Sequence, residues 1–155
     1  MPERYYYVET SVWGMIPKGQ PREMRRASLQ FLRRFPRPAY FVSPVVLDEI
    51  SAADENSRSQ IQELMQSTAP TMVEATTEAF ELARFYVDSG ILSARRIEDA
   101  LHVALSTVHE MDVLVSWNHR HLANVRKTEQ YRGAKLMRGY RKTPLILTPL
   151  EVLHE

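Results

Sequence analysis

The sequence YYYVETSVW, at residues 5–13, places an acidic residue directly after a stretch that is typical of a buried strand. Tyr5 to Val8 are aromatic or β-branched, which favours a strand over residues 4–9. Glu9 stands where that strand should end, and Thr10 and Ser11 follow it directly. The remaining sequence has to explain why an acid ends an otherwise apolar strand.

Other apolar stretches predict further strands of similar length. They are AYFVS at 39–43, DVLVS at 112–116 and PLILT at 144–148, with MVEA at 72–75 as a weaker candidate. Helical patterns lie between them: from Pro21 to before Pro36, from near Val45, at about 57–67, from Thr76 or Thr77 to about Val87, over Ser93–Glu110, and a short one at 119–125. Alternating helices and strands, the strands apolar on both faces, predict an α/β sandwich with a mainly parallel sheet.

The composition is typical of one globular domain, spanning residues 1–155. Hydrophobic residues make up 44% and charged residues 25%, and the net charge is +1. This charge neither demands nor excludes a nucleic-acid partner, although basic residues concentrate at 22–37 and 120–142 and could follow a phosphate backbone or form solvated helix faces. The sequence has no cysteine, no apolar run of membrane-spanning length and no signal-peptide pattern, so we expect a cytoplasmic protein without a membrane segment.

Polar residues follow the predicted strands at one edge of the sheet. Glu9, Ser43 and Ser116 stand at or just past the carboxyl ends of three strands, and Asn118 follows the third. In a parallel sheet the functional crevice lies beyond these ends, so we expect the side chains to face it. Each residue also has an ordinary explanation, since Glu9 could simply cap a turn.

Two further acids lie on predicted helices near the same edge. They are Asp99 and either Asp48 or Glu49, because adjacent helical positions differ by only about 100°. Carboxylates that share a pocket stay ionised only if a cation compensates them, and oxygen ligands without thiols favour Mg²⁺ or Mn²⁺. Sites that hydrolyse phosphodiester bonds commonly contain such an ion beside basic residues. Otherwise, Glu49 could lie on a solvated face and Asp99 could stabilise a helix N-terminus.

Four stretches, in this order and spacing, resemble the PIN-domain nucleases. They are VETSVW, VSPVVLDEI, EDALHVALS and VLVSWNHRHL, and the closest likeness is to the VapC-like toxins of type II (VapBC-type) toxin–antitoxin systems. The resemblance runs from Tyr5 to the closing PLILTPLEVL. It implies a three-layer α/β/α sandwich with four to five mainly parallel strands, and metal-dependent RNA cleavage that leaves 5′-phosphate and 3′-hydroxyl ends. It also implies a small antitoxin partner that inserts a segment into the crevice, and a homodimer.

The resemblance assigns roles residue by residue. Glu9, Glu49 and Asp99 match the three acids of the family and would hold Mg²⁺ or Mn²⁺, while Ser116 and Asn118 match positions that would orient water or the ion's hydration shell. The sequence departs from the family at two of these positions. Glu9 stands where the family usually has Asp, and Asn118 provides a neutral side chain at the fourth position, where the family has Asp or Asn. A catalytically impaired RNA-binding or interaction module is therefore the alternative, and a phosphohydrolase acting on DNA flaps or small phosphoesters is a second one.

Several residues near the predicted crevice are candidates for RNA contacts. Arg120, Arg126 and the basic stretch up to Lys142 could follow the backbone, and Trp117 could stack on an unpaired base or pack at the strand end. His102 shares a helical face with Asp99 and is expected either to support the metal or to be hydrogen-bonded at the rim of the core. Trp13 could line the mouth of the crevice or contact a partner.

Overall fold

A computed structural model describes residues 4–34, 38–118, 122 and 125–155, with only the backbone described at 125, 126 and 128. Its five strands form one parallel sheet in the order β3-β2-β1-β4-β5. The strands are β1 (Tyr5–Val8), β2 (Ala39–Val42), β3 (Thr71–Met72), β4 (Val113–Val115) and β5 (Leu145–Leu147). The predicted mainly parallel sheet is thus confirmed, with β1 at its centre.

Eight α-helices are present in the described residues. They are α1 (Thr10–Trp13), α2 (Arg22–Leu32), α3 (Pro44–Ser51), α4 (Glu55–Thr68), α5 (Thr77–Asp88), α6 (Ile97–Val108), α7 (Val125–Met137) and α8 (Pro149–Leu153). A 3₁₀ turn at Ala94–Arg96 precedes α6. No helix of the described residues is long and apolar enough to cross a membrane.

Helices cover both faces of the sheet, and two neighbouring tyrosines of β1 show this directly. Successive side chains of a strand point to opposite faces. Tyr6 packs edge-on against Phe31 of α2, with the ring centroids 5.6 Å apart, whereas the ring of Tyr7 lies 5.7 Å from the imidazole of His102 on α6. The sheet is therefore the middle layer of the predicted α/β/α sandwich.

Local signals place the helix ends. Asp54 caps α4 by accepting from Ser57 N–H at 3.0 Å, and Thr76 caps α5 by accepting from Ala79 N–H at 3.2 Å. Thr148 and Glu151 form a reciprocal capping box at the start of α8. These caps satisfy backbone donors that a helix start would otherwise leave without partners.

The structure differs from the sequence prediction in five elements. β3 lies at Thr71–Met72 instead of 72–75, and the helix predicted over Ser93–Glu110 is a 3₁₀ turn followed by α6. α7 is absent from the prediction. Few of its side chains are apolar and buried, Tyr131 and Ala134 among them, so its sequence shows no apolar stripe of helical period. α1 and α8, of four and five residues, are too short to show a helical period. The helix predicted at 119–125 lies largely outside the described residues.

Candidate active site

Three polar residues meet where β2, β1 and β4 end side by side. Glu9 continues the ladder by donating its N–H to Val115 O at 3.1 Å, which places it next to Ser116. Glu9, Ser43 and Ser116 are all buried, at 2%, 0% and 0% exposure. The parallel order of the strands therefore brings these residues to one edge, as the sequence predicts.

Glu9 is held by four neutral donors. Its Oε1 accepts from Ser116 Oγ at 2.6 Å, Ser11 Oγ at 2.9 Å and Asn118 Nδ2 at 3.3 Å, and its Oε2 accepts from Ser11 N at 2.5 Å. The last contact makes Glu9 the N-cap of α1. The acid at the end of β1 is thus a helix cap whose buried charge is stabilised by hydrogen bonds.

Glu49 joins a buried chain of hydrogen bonds that begins at β1. Its Oε1 accepts from His102 Nε2 at 2.6 Å and from Thr10 Oγ1 at 2.8 Å. Because a carboxylate can only accept, His102 Nε2 carries a proton. On the other side of the ring, His102 Nδ1 lies 2.8 Å from the Tyr7 hydroxyl, which lies 2.8 Å from Ser43 Oγ.

These contacts decide which acid of α3 points inward. The side chain of Glu49 is 27% exposed and contacts His102, whereas Asp48 is exposed. Glu49 is therefore the inward acid. His102, predicted either to support a metal or to lie at the rim of the core, is fully buried and hydrogen-bonded on both ring nitrogens.

All three predicted acids act on the same imidazole. Burial by itself lowers the pKa of His102, but the hydrogen bond to Glu49 and the charges of Glu9, Glu49 and Asp99 outweigh burial and raise it. Burial favours a higher pKa for Glu49, yet its contacts with His102 and Thr10 bring it below the usual range. The charges of the three carboxylates therefore all favour the protonated form of one buried histidine.

A fourth carboxylate lies beside them. The charge of Glu49, followed by partial burial, raises the pKa of Glu98. Asp99, its neighbour in the first turn of α6, is 17% exposed, and its Oδ2 lies 3.3 Å from Arg96 Nη1. Negative charge thus accumulates around Glu49, as it does where a cation normally compensates clustered carboxylates.

The carboxylate oxygens of this site are the type of ligand that a hard cation such as Mg²⁺ prefers. Among the residues that the structure describes, no three His, Asp or Glu side chains lie close enough to hold one ion together. Mg²⁺ commonly takes one or two carboxylates directly and keeps several waters. Glu49 and Asp99 are partly exposed and Glu98 is exposed, so hydrated Mg²⁺ or Mn²⁺ can reach these oxygens, whereas Glu9 is buried. The residues therefore fit a hydrated ion.

Trp117 connects the site to α2. Its backbone N–H donates to Ser11 Oγ at 2.8 Å, and its indole N–H donates to Ser28 Oγ of α2 at 2.9 Å. Half-buried, it packs against the core. Arg120 lies outside the described residues, and Arg126 is described only as backbone in α7, so the predicted RNA contacts stay predictions.

Two residues of the site, Tyr7 and Glu98, are not identified from the sequence. Tyr7 looks like its two neighbours in YYY, and only the alternation of strand faces distinguishes it. Glu98 could have been noticed as the acid beside Asp99 in a first helical turn. The suggestion that Trp13 lines the mouth is wrong, because its side chain is fully buried and its indole N–H donates to Val8 O at 3.2 Å.

No protein-family model matches the sequence, and no curated protein matches it. Solved structures do resemble it. A chain of a toxin–antitoxin complex from Klebsiella pneumoniae is 17% identical with a TM-score of 0.57, the match covering 79% of this chain and 93% of that one. A chain of VapBC2 from Rickettsia felis, bound to a DNA fragment from their promoter, is 13% identical with a TM-score of 0.51, covering 93% and 98%. The predicted resemblance is thus confirmed for the fold: the chain shares its α/β fold with chains of two toxin–antitoxin complexes, one of them VapBC2.

Proposed function

We propose that this chain is a metal-dependent endoribonuclease and the toxin of a toxin–antitoxin pair. The observation that supports the proposal is that Glu49 contacts buried His102 at the carboxyl edge of a parallel sheet, where the charges of Glu9 and Asp99 act on the same imidazole. Such edges are where α/β proteins bind ligands. The fold shared with chains of toxin–antitoxin complexes supports a small antitoxin as the partner. We also expect a homodimer.

The proposed roles follow from what each side chain contacts. Glu49 and Asp99 would hold Mg²⁺ or Mn²⁺, with buried Glu9 as the third predicted ligand. When bound, such an ion activates water and neutralises charge that develops on the phosphate. His102 and Thr10 orient the Glu49 carboxylate, and the donors around Glu9 keep its charge in place without a cation.

Residues beside the acids would contact the substrate. Asn118 and Ser116 already hold Glu9 and would orient water at the edge of the site. Trp117, Arg120 and Arg126 remain the candidates for RNA contacts. A single strand suits this site because its unpaired bases can stack on exposed aromatic surface.

The decisive experiment is an RNA cleavage assay with purified protein free of any antitoxin. Mixed-sequence single-stranded RNA is incubated with Mn²⁺ and either wild type, Asp99→Asn or Asp48→Asn. We expect wild type and Asp48→Asn to cleave alike, because Asp48 is exposed and outside the cluster. Asp99→Asn should lose about 100-fold or more, as expected when charge stabilisation worth several kcal/mol is removed. Equal cleavage by all three proteins would contradict the site.

A parallel assay tests the choice of RNA. DNA of the same sequence and a DNA flap replace the RNA, with the metal and protein unchanged. We expect cleavage of RNA to be the faster reaction. DNA cleavage that equals or exceeds it would overturn the RNA assignment in favour of another phosphohydrolase.

The second candidate function is a catalytically impaired RNA-binding or interaction module. It is favoured by one observation: the Glu9 carboxylate is already occupied by four donors, while no three potential ligands converge in the described residues. RNA binding by wild type without cleavage in Mg²⁺ or Mn²⁺ would support this module over the enzyme.

A further inference from the structure

A groove lies between α2 and α4, away from the acids. It has a volume of about 820 Å³ and adjoins a second depression of about 640 Å³, with which it shares Lys18, Arg25, Leu29 and Arg33. The two together, here named the basic groove, are lined by six basic side chains: Lys18, Arg22, Arg25, Arg26, Arg33 and Arg34. Glu63 is the one acid among the described residues that line it.

No carboxylate of the described residues neutralises the cations of this groove. Within the described part of the chain, none of the six forms an ion pair, and Arg22, Arg26 and Arg33 are exposed. Arg25 donates from Nε to Ile16 O, and Arg34 Nη1 is buried without an acceptor in the same described part. An unsatisfied buried donor destabilises the fold, and an acceptor oxygen in the groove would supply its missing partner.

The basic residues at the C-terminal side of the chain behave differently. Arg132 pairs with Glu129 at 3.3 Å and Lys142 with Asp112 at 2.5 Å. Arg138 lies over the ring of Phe85, with its guanidinium carbon 5.5 Å from the centroid. These three cations therefore have internal partners, unlike the exposed arginines of α2.

Two elements, α1 and α2, connect the basic groove to the candidate active site. Lys18 lies on the loop after α1, the helix that Glu9 caps, and Trp117 ties the site to α2 through Ser28. Arg22, Arg26 and Arg33 are spaced at i, i+4 and i+11, which puts them on one face of a helix about 16 Å long. A row of cations of this length suits several successive phosphates.

We propose that the basic groove binds the phosphodiester backbone of single-stranded RNA that enters the site. Five of its six cations are arginines, whose planar fork matches phosphate oxygens. The seven charged side chains of the lining outnumber its four apolar ones, Ile16, Leu29, Leu32 and Leu64, which favours a polyanion over a protein partner with an apolar anchor. This inference rests on the proposed function, since it takes RNA as the substrate.

The test measures RNA binding without cleavage. A fluorescently labelled 12-nucleotide single-stranded RNA is titrated in EDTA, by anisotropy, with wild type, with the double variant Arg26→Gln/Arg33→Gln and with the control Arg4→Gln/Arg84→Gln. Both doubles remove two positive charges at exposed positions, and circular dichroism confirms that both fold. Of the control residues, Arg4 precedes β1 and Arg84 lies on α5, and both are outside the basic groove and the basic stretch at 120–142.

We expect the groove double to weaken binding roughly 10- to 30-fold near 0.1 M salt, and the control to bind like wild type. The slope of log K against log salt should fall by about 1.4 for the groove double, or about 0.7 for each lost phosphate contact. Equal weakening by both doubles, or none, would overturn the proposal. Tighter binding of an acidic peptide than of RNA, through the same arginines, would overturn it in favour of a protein partner.

The result is independent of catalysis. Binding that depends on Arg26 and Arg33 in a protein that cleaves nothing would uphold the basic groove and reject the nuclease. If the protein cleaves RNA but its RNA binding does not depend on these arginines, the nuclease is upheld and the basic groove is rejected.

Discussion

His102 Nε2 lies 2.6 Å from Glu49 Oε1, and this contact joins α6 to α3 across the carboxyl edge of the sheet. The same imidazole contacts the Tyr7 hydroxyl of β1 through Nδ1. Three elements that are distant in the chain therefore meet at one buried ring. Buried polar networks of this kind are stabilising when every member has a partner and costly when one is removed.

Removing the Tyr7 hydroxyl should destabilise the fold. Tyr7→Phe leaves Ser43 Oγ and His102 Nδ1 without their buried partner, which should lower the free energy of unfolding by about 1–3 kcal/mol. Urea unfolding measures this, with Tyr5→Phe as the control because Tyr5 is 45% exposed. If the two variants unfold at the same urea concentration, the network does not stabilise the protein.

Neutralising Glu49 should impair cleavage far more than neutralising its neighbour. Glu49→Gln removes the charge nearest His102, so we expect RNA cleavage in Mn²⁺ to fall about 100-fold or more. Asp48→Asn should cleave like wild type. The single-turnover rate is the quantity to compare, and a greater loss in Asp48→Asn would show that the inward acid has been misassigned.

Asp112 should make stability depend on pH. It accepts from Tyr5 N at 2.7 Å and pairs with Lys142. Its slight burial favours a higher pKa, but Lys142 and the Tyr5 N–H outweigh it and hold the pKa below the usual 3.8. A lowered acid pKa stabilises the fold above the unfolded-state pKa, and that contribution is lost as the pH falls through the folded-state value.

Asp112→Asn should therefore reduce the free energy of unfolding at pH 7 by about 1–2 kcal/mol. The difference from wild type should shrink as the pH drops below 3.8. Urea unfolding across this pH range tests it, with the exposed Asp88→Asn as control. A difference that persists unchanged at low pH would rule out the charge of Asp112 as the cause.

Glycine at position 69 should stabilise the protein. Ala69 ends α4 in the left-handed conformation, with φ 50° and ψ 57°, which is costly for a residue with a Cβ. Ala69→Gly should raise the free energy of unfolding by about 0.5–1 kcal/mol, after allowing for glycine's greater freedom in the unfolded chain.

A matched substitution separates this effect from glycine itself. Ala52 ends α3 in the ordinary right-handed region, with φ −79°, so Ala52→Gly should lower stability. Thermal unfolding of both variants gives the comparison. Shifts of the same sign would contradict the role assigned to backbone conformation.

The fold was predictable where the local pattern is strong. β4 has the unbroken apolar run of a strand that is covered on both faces, and Thr76 has the capping signal of α5. α7 gave no such signal, because a stretch rich in polar residues becomes helical there through packing of residues such as Tyr131 against Tyr86. Tertiary contacts of this kind leave no periodicity in the sequence.

The site was predictable as a set of positions but not as a set of contacts. The ends of parallel strands had to meet, so Glu9 and Ser116 could be placed together. The choice between Asp48 and Glu49 depends on how α3 is rotated, and the pairing of Tyr7 with His102 joins residues 95 positions apart. Neither is encoded in local spacing.

The three identical residues of β1 have a consequence for how the sheet assembles. Sliding YYY by one position would exchange one tyrosine for another, so hydrophobicity alone leaves the register of the central strand poorly specified. The bonds from the Tyr7 hydroxyl to Ser43 and His102 form in one register only, and the same slip would move Glu9 away from Ser116. The polar residues at the carboxyl edge of the sheet therefore also fix the register of β1, the central strand of the five.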